Sequence, residues 1–171
     1  MKSQLTLVLG GVSSGKSVHA ERISVTVGKR RVYIATAQSF DAEMAAKIDI
    51  HQSRRGKGWS TVEAPFDLAN ALATPDGDVV LIDCLSMWLT NHLLADHDTA
   101  PLIADLLGAI AACPVPLIAV SNEVGLGGIE ANPLARKFAI EQGRLNQKLA
   151  EISENVHLVV AGLATPLKGN L

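Results

Sequence analysis

The residues most able to do chemistry stand near the start of the chain, in the stretch GGVSSGKS at positions 10–17. The spacing G-x-x-x-x-G-K-S is that of a phosphate-binding loop, whose backbone N–H groups surround the phosphates of a nucleotide. In such a loop Lys16 brings a positive charge to the β- and γ-phosphates, and the Ser17 hydroxyl can bind Mg²⁺. The alternative is a glycine- and serine-rich turn that only starts a helix. The apolar run before the loop and the helix-compatible stretch after it favour phosphate binding.

A second candidate is Asp83, which ends the apolar run VVLID at positions 79–83. An apolar run of this length predicts a buried strand, and a carboxylate at its end is placed to reach Mg²⁺ directly or through water. Without the phosphate-binding loop the pattern would mean little, since an acid at a strand end is common. Together the two motifs indicate a nucleoside triphosphate and a divalent metal ion.

A third group of polar residues lies between positions 41 and 63 and includes His51, the pair Arg54 and Arg55, and Glu63. A histidine followed by two arginines in a phosphate-loop protein suggests phosphate handling. A neutral imidazole can attack phosphorus and form a phosphoramidate. The alternatives are a structural histidine and a solvated helix end.

The elements that must position these residues follow from hydrophobic periodicity. Strands are predicted at 5–9, 31–35, 59–63, 79–83, 117–121 and 156–161, and helices at 18–27, 41–55, 65–72, 85–94, 100–111 and 133–153. Their alternation predicts a doubly wound α/β fold with a mostly parallel sheet, in which ligands bind at the carboxyl ends of the strands. The tail at 164–171 is expected to be disordered.

Asn122 and Glu123 follow the strand predicted at 117–121. They could contact the substrate or stabilise their own loop, and the sequence favours neither role for these two residues.

Composition narrows the function classes. At 171 residues and 48% hydrophobic, the chain is expected to form one domain, residues 1–171, with a substantial core. The net charge of −2 gives no electrostatic case for nucleic acid as the partner. Cys84 and Cys113 lack metal-ligand spacing and fit buried thiols in a reducing compartment. With no signal peptide and no apolar run of membrane-spanning length, we expect a cytoplasmic protein.

The remaining histidines and the tryptophans are interpreted as structural. His92, His97 and His157 lie in ordinary sequence contexts, and His19 either packs or faces solvent on the helix after the loop. We interpret Trp59 and Trp88 as residues that pack in the core, and not as platforms for a large ligand.

Several motifs together resemble one known family. They are GGVSSGKS at 10–17, YIATAQ at 33–38, DAEMAAKI followed by HQSRR at 41–55, WSTVEAP at 59–65, DCLSMWLTN at 83–91, VSNEVGLGGIEANPLARKF at 120–138, GRLNQKLAE at 143–151 and VVAGL at 159–163. In order and spacing this set is similar to the bifunctional adenosylcobinamide kinase/adenosylcobinamide-phosphate guanylyltransferase family of cobalamin biosynthesis. Two departures are Val12 and Ser13, where the family usually has Ala-Arg, and Ile50 before His51, where some members have a second histidine.

The resemblance implies two reactions on a RecA-like sheet: phosphorylation of adenosylcobinamide by ATP or GTP, and transfer of GMP from GTP to adenosylcobinamide phosphate. It implies a guanylylated His51 and a homotrimer. Because both reactions need negative charge to be neutralised, we also expect catalysis by Lys16 and a Mg²⁺ ion held near Ser17 and Asp83. The nucleotide contacts that it implies are Gly10, Gly11, Val12, Ser13, Ser14, Gly15, Lys16, Ser17, Ala35, Thr36, Ala37, Gln52, Ser53, Arg54, Arg55, Glu63 and Asp83.

Two alternatives stay open on the residues alone. One is a phosphate-loop kinase for another small molecule, with no covalent histidine step. The other is a nucleotide-gated switch or a RecA-like module that binds nucleic acid, against which the lack of a basic stripe argues.

Overall fold

The computed structural model describes residues 4–38 and 56–171, and a twisted sheet forms its centre. The strands in this part of the chain are β1 (Leu5–Gly10), β2 (Arg31–Ala35), β3 (Trp59–Glu63), β4 (Val79–Asp83), β5 (Leu117–Asn122), β6 (Asn155–Val160) and β7 (Leu163–Lys168). Their order across the sheet is β3-β2-β4-β5-β1-β6-β7. All neighbouring pairs are parallel except β6 and β7. The prediction of a mostly parallel α/β sheet is therefore confirmed.

Helices connect the parallel strands and cover both faces of the sheet. They are α1 (Lys16–Val27), α2 (Leu68–Ala73), α3 (Leu85–Leu94), α4 (Thr99–Ala112) and α5 (Pro133–Ile152), with a short 3₁₀ turn at Gly125–Gly127. Asp67, Asp98 and Asn132 cap α2, α4 and α5 by accepting hydrogen bonds from backbone N–H groups. The Asp67 cap explains why α2 begins at Leu68 and not at the predicted position 65. The helix predicted at 41–55 lies outside the described residues.

Each central strand buries side chains on both faces, which explains why these strands read as continuous apolar runs. On one face Leu7, Ile34 and Ile82 pack against α2, α3, α4 and α5. On the other face Val8 and Leu81 pack against α1, together with neighbouring apolar side chains. The sheet is thus held between two apolar layers, and α1 is the helix that lies against the second layer.

The end of the chain corrects the prediction of a disordered tail at 164–171. Residues 163–168 form β7, antiparallel to β6, and a two-residue turn at Ala161 and Gly162 joins the two strands. Both turn residues have positive φ, 52° and 78°, as the type I′ hairpin turn requires. Alanine at positive φ and Pro166 within the strand hide this hairpin from sequence patterns, although proline is compatible with an edge strand.

The aromatic residues mostly behave as packing groups. Trp88 is buried in the larger core and donates from Nε1 to the Phe66 carbonyl at 2.8 Å. Trp59 is partly buried, edge-on to Tyr33, with the Arg31 guanidinium 5.3 Å from its ring centre. The packing role predicted for Trp88 is confirmed, and the contact of Trp59 with Tyr33 agrees with the same prediction.

The four described histidines form two pairs. The Nε2 of His19 lies 3.0 Å from Nδ1 of His157, and the Nδ1 atoms of His92 and His97 are 2.9 Å apart. In both pairs the histidines contact each other, which agrees with the structural role predicted for His92, His97 and His157. Within the described ranges, no helix is long and apolar enough to cross a membrane.

Candidate nucleotide-binding site

The loop between β1 and α1 has the geometry of an anion cradle. Gly15, with φ of 94°, is the N-cap of α1, and the helix receives no side-chain cap there. The backbone N–H groups of the first turn of α1 are therefore directed toward the loop, where they favour a negative charge. A side chain at Gly10 would overlap the Ser14 hydroxyl and come within 2.6 Å of the Val159 carbonyl oxygen. Only glycine fits at the first position of the motif.

Lys16 folds back over this loop. Its Nζ donates to the Gly11 carbonyl at 2.9 Å, so the partly exposed side chain places its ammonium group over the loop backbone. Burial lowers the pKa of Lys16, while the neighbouring Cys84 and Asp83 act in the opposite direction. The Ser14 hydroxyl is buried and has no hydrogen-bond partner among the described residues. An incoming phosphate would offer acceptors to the ammonium group and the hydroxyl alike.

Asp83 ends β4 at the same edge of the sheet, two strands from β1. The Tyr33 hydroxyl, on the adjacent strand, donates to its carboxylate at 3.3 Å. The next residue, Cys84, has a thiol whose pKa burial raises to about 11, with the Asp83 charge acting in the same direction. The thiol is therefore protonated at neutral pH and brings no negative charge to Lys16.

Thr36 and Asn91 fix the relative position of β2 and β4. The Thr36 hydroxyl donates to the Cys84 carbonyl at 2.6 Å and accepts from the Cys84 N–H at 2.9 Å. The Asn91 amide on α3 donates to the carbonyls of Thr36 and Pro65, at 2.8 and 2.9 Å. Since Thr36 is fully buried, its hydroxyl acts on the backbone beside Asp83. The nucleotide contact predicted for Thr36 stays a prediction.

A buried polar network supports the end of β5. The Gln142 amide on α5 donates to Ser121 Oγ and Asn146 Oδ1, and Ser121 Oγ donates to Asn146 Oδ1 at 2.7 Å. Asn146 in turn donates to the Asn122 carbonyl at 3.0 Å. These contacts give Asn146, within the GRLNQ motif, and the preceding Gln142 a structural role, which is to hold the strand end beside the phosphate loop.

The structure brings some predicted site residues together and separates others. Residues 10–17 and Asp83 lie at the same carboxyl edge of the sheet. Ala35 pairs with Asp83 in strand register, and Ala37 follows the end of β2. Glu63 is exposed on the outermost strand, four strand spacings or about 19 Å from β1. His51 and residues 52–55 lie outside the described part of the chain. The supporting residues Asn91 and Gln142 were not predicted, because an isolated polar residue within a helix carries no pattern that reveals its partner.

These features define a phosphate-loop nucleotide-binding α/β protein. Solved structures support the fold: the RadB recombinase aligns with a TM-score of 0.51 at 17% identity over 90% of this chain and 73% of that one. An ATPase of a bacterial type III secretion system aligns with a TM-score of 0.55 at 9% identity, covering 96% of this chain and 57% of that chain. At such low identity the likeness concerns the fold alone.

The chain belongs to the cobinamide kinase/cobinamide phosphate guanyltransferase family, whose sequence model matches residues 6–167. The bifunctional adenosylcobalamin biosynthesis protein CobP of Pseudomonas aeruginosa is 45% identical over 168 residues, which is 95% of this chain and 96% of that protein. CobU of Escherichia coli, named for the same bifunctional role, is 38% identical over 96% of this chain and 99% of that protein. The family resemblance expected from the motifs is confirmed.

Proposed function

We propose that this protein phosphorylates adenosylcobinamide with a nucleoside triphosphate and then transfers GMP from GTP to the product, giving adenosylcobinamide-GDP. The family and its bifunctional relatives support both reactions. The observation that carries the proposal is the position of Lys16, folded over a glycine cradle at the helix terminus and close to Asp83. This is the arrangement that phosphoryl transfer needs, because the reaction depends on placing and neutralising negative charge.

In the kinase reaction the loop amides and Lys16 hold the β- and γ-phosphates of the donor. The Ser17 hydroxyl and the Asp83 carboxylate are hard oxygen donors of the kind that Mg²⁺ selects, and a magnesium ion bound there would neutralise charge on the phosphates. Magnesium normally needs only one or two protein ligands beside phosphate oxygens.

In the guanylyltransferase reaction His51 is the nucleophile. A neutral ring nitrogen attacks the α-phosphorus of GTP, the bond from that phosphorus to the bridging oxygen breaks, and pyrophosphate leaves. The phosphate group of the phosphorylated cobinamide then attacks the same phosphorus, and the P–N bond breaks to release the histidine. Lys16 stabilises the leaving pyrophosphate, and Arg54 or Arg55 holds the transferred phosphate.

The test is the covalent adduct. Mixing the protein with GTP and Mg²⁺ should add the mass of one GMP, as measured by intact-mass spectrometry. The His51→Ala variant should gain no GMP and should still phosphorylate adenosylcobinamide, because the kinase reaction needs no protein nucleophile. His97→Ala is the matched control, since it removes an exposed histidine outside the site.

The outcomes separate the two candidate functions. An undiminished adduct in His51→Ala would assign the nucleophile to another residue. No adduct in the wild-type protein, with kinase activity intact, would leave a phosphate-loop kinase without a covalent histidine step.

The finer features follow the family resemblance and are part of the proposal. ATP or GTP serves as phosphoryl donor, GTP is the guanylyl donor, and the protein acts in the cytoplasm as a homotrimer. In a trimer His51 of one subunit could serve its own phosphate loop or that of a neighbour.

A further inference from the structure

We propose that Glu123 is the general base of the kinase reaction, which takes the proton from the cobinamide hydroxyl as that oxygen attacks the γ-phosphorus. The inference rests on the proposed function and adds to it a residue for which the site so far has no role.

Strand register places Glu123 beside the phosphate loop. β5 lies between β1 and β4, and its last residue, Asn122, pairs with Gly10, the first residue of the loop motif. The Glu123 N–H donates to the Gly10 carbonyl at 3.0 Å. Adjacent strands are about 4.8 Å apart, so Glu123 leaves the sheet one strand spacing from the loop, between the loop and Asp83.

The protein holds this residue firmly although it lies at the start of a loop. The Glu123 carboxylate accepts from the Gly125 N–H at 2.7 Å through Oε1. Both backbone polar groups of the preceding residue, Asn122, are hydrogen-bonded to side chains. The Asn122 N–H donates to Ser86 Oγ at 2.8 Å, and the Asn122 carbonyl accepts from the Asn146 amide. A buried network behind a partly exposed carboxylate is what a positioned catalytic group requires.

The other carboxylates at the described carboxyl edge are less suited to this role. Asp83 accepts from the Tyr33 hydroxyl and lies close to Lys16, which fits charge neutralisation at the phosphates and not proton removal. Glu63 ends the outermost strand, about 19 Å across the sheet from β1. Glu123 is one strand spacing from the loop, and the Gly125 N–H binds its Oε1, so the second carboxylate oxygen can receive a proton.

The two reactions differ in their need for a base. In the kinase reaction an alcohol oxygen forms a bond to the γ-phosphorus, the bond to the β–γ bridging oxygen breaks, and the alcohol proton must be removed. Glu123 takes that proton and later releases it to solvent. In the guanylyltransferase reaction the attacking groups are a neutral imidazole and then a phosphate monoester, which is largely ionised above its second pKa of about 6. Neither attack requires Glu123.

The experiment compares both reactions in the full-length Glu123→Gln variant. Glutamine keeps the shape of the side chain and its acceptor for the Gly125 N–H, but it is not a base. Phosphorylation of adenosylcobinamide should fall about a hundredfold or more in kcat. The GMP adduct and the transfer of GMP to supplied adenosylcobinamide phosphate should stay at the wild-type level. Glu123→Asp, which keeps a carboxylate, should retain more kinase activity than Glu123→Gln.

Glu130→Gln is the matched control, because it makes the same change at an exposed position of the same loop and should leave both reactions intact. Full kinase activity in Glu123→Gln, beside an active wild type, would overturn this inference alone. Equal loss of both reactions would show a structural or metal-holding role and would also overturn it. A wild-type protein that does not phosphorylate adenosylcobinamide would remove the proposed function and this inference together.

Discussion

At the scale of residues, the hydrogen bonds of Lys16 and Thr36 distinguish two polar side chains at the candidate nucleotide-binding site. Lys16 donates a hydrogen bond to a loop carbonyl and lies near Asp83, so we expect its charge to act on a bound phosphate. Thr36 belongs to an equally suggestive motif, but its buried hydroxyl is hydrogen-bonded to the backbone of Cys84. The structure therefore gives Thr36 a structural contact, and the ligand contacts predicted for both residues stay predictions.

Replacing Lys16 should impair both reactions, because both depend on stabilising negative charge at the same phosphates. We expect Lys16→Ala to lower kcat/KM of the kinase and guanylyltransferase reactions by about a hundredfold or more. Steady-state assays with each acceptor would measure this. Lys29→Ala is the control, since Lys29 is exposed in the turn before β2. Activity at the wild-type level in Lys16→Ala would refute the assignment of the loop.

At the scale of elements, helix α5 supports the site by holding the end of β5 in place. The end of β5 carries Asn122 and Glu123, and α5 fixes it through Gln142, Ser121 and Asn146. Such polar contacts are costly to break, because each lost partner leaves a buried donor or acceptor without a hydrogen bond. Asn146, within the GRLNQ motif, thus supports the site by holding the end of β5.

Asn146→Ala tests this support. The variant leaves Ser121 and the Asn122 carbonyl with fewer hydrogen-bond partners, so the free energy of unfolding should fall by about 1–3 kcal/mol. Urea denaturation followed by circular dichroism would measure the shift. Gln147→Ala is the matched control, because Gln147 is the next residue on the same helix and is exposed. Equal stability of the two variants would mean that the network contributes little.

At the scale of the whole molecule, the sheet has a large apolar layer on one face and a smaller one on the other. Trp88 is buried in the larger layer, and Trp59 packs against the smaller. We propose that residues 1–171 fold as one domain, because every parallel strand from β1 to β6 contributes to the shared sheet and both layers meet across it.

One-domain folding predicts a single unfolding transition. In each of the variants Trp59→Phe and Trp88→Phe, the remaining tryptophan reports on one face of the sheet. The fluorescence midpoint in urea should coincide with the circular dichroism midpoint of the same variant. Separate midpoints within either variant would indicate that the two faces unfold independently.

Much of this protein can be predicted from the sequence, because the decisive signals are local. The phosphate loop needs glycines at fixed spacing, and buried parallel strands need continuous apolar runs. The sequence therefore predicts the loop at positions 10–17 and the strand at 79–83. The family follows from the order and spacing of several such motifs, and its sequence model matches residues 6–167. The role of His51 stays a prediction that the covalent adduct will test.

The tertiary structure decided what depends on contacts between distant residues. The order of strands places Glu123 beside Gly10 and Glu63 far from it, although both are acids at the carboxyl ends of predicted strands. The Asn91–Thr36 and Gln142–Ser121 contacts join residues 55 and 21 positions apart, which no local pattern encodes. The β7 hairpin was missed because alanine in its turn and proline in its strand contradict local preferences, while pairing with β6 outweighs them. Local chemistry names the candidate groups, and long-range packing decides which of them meet.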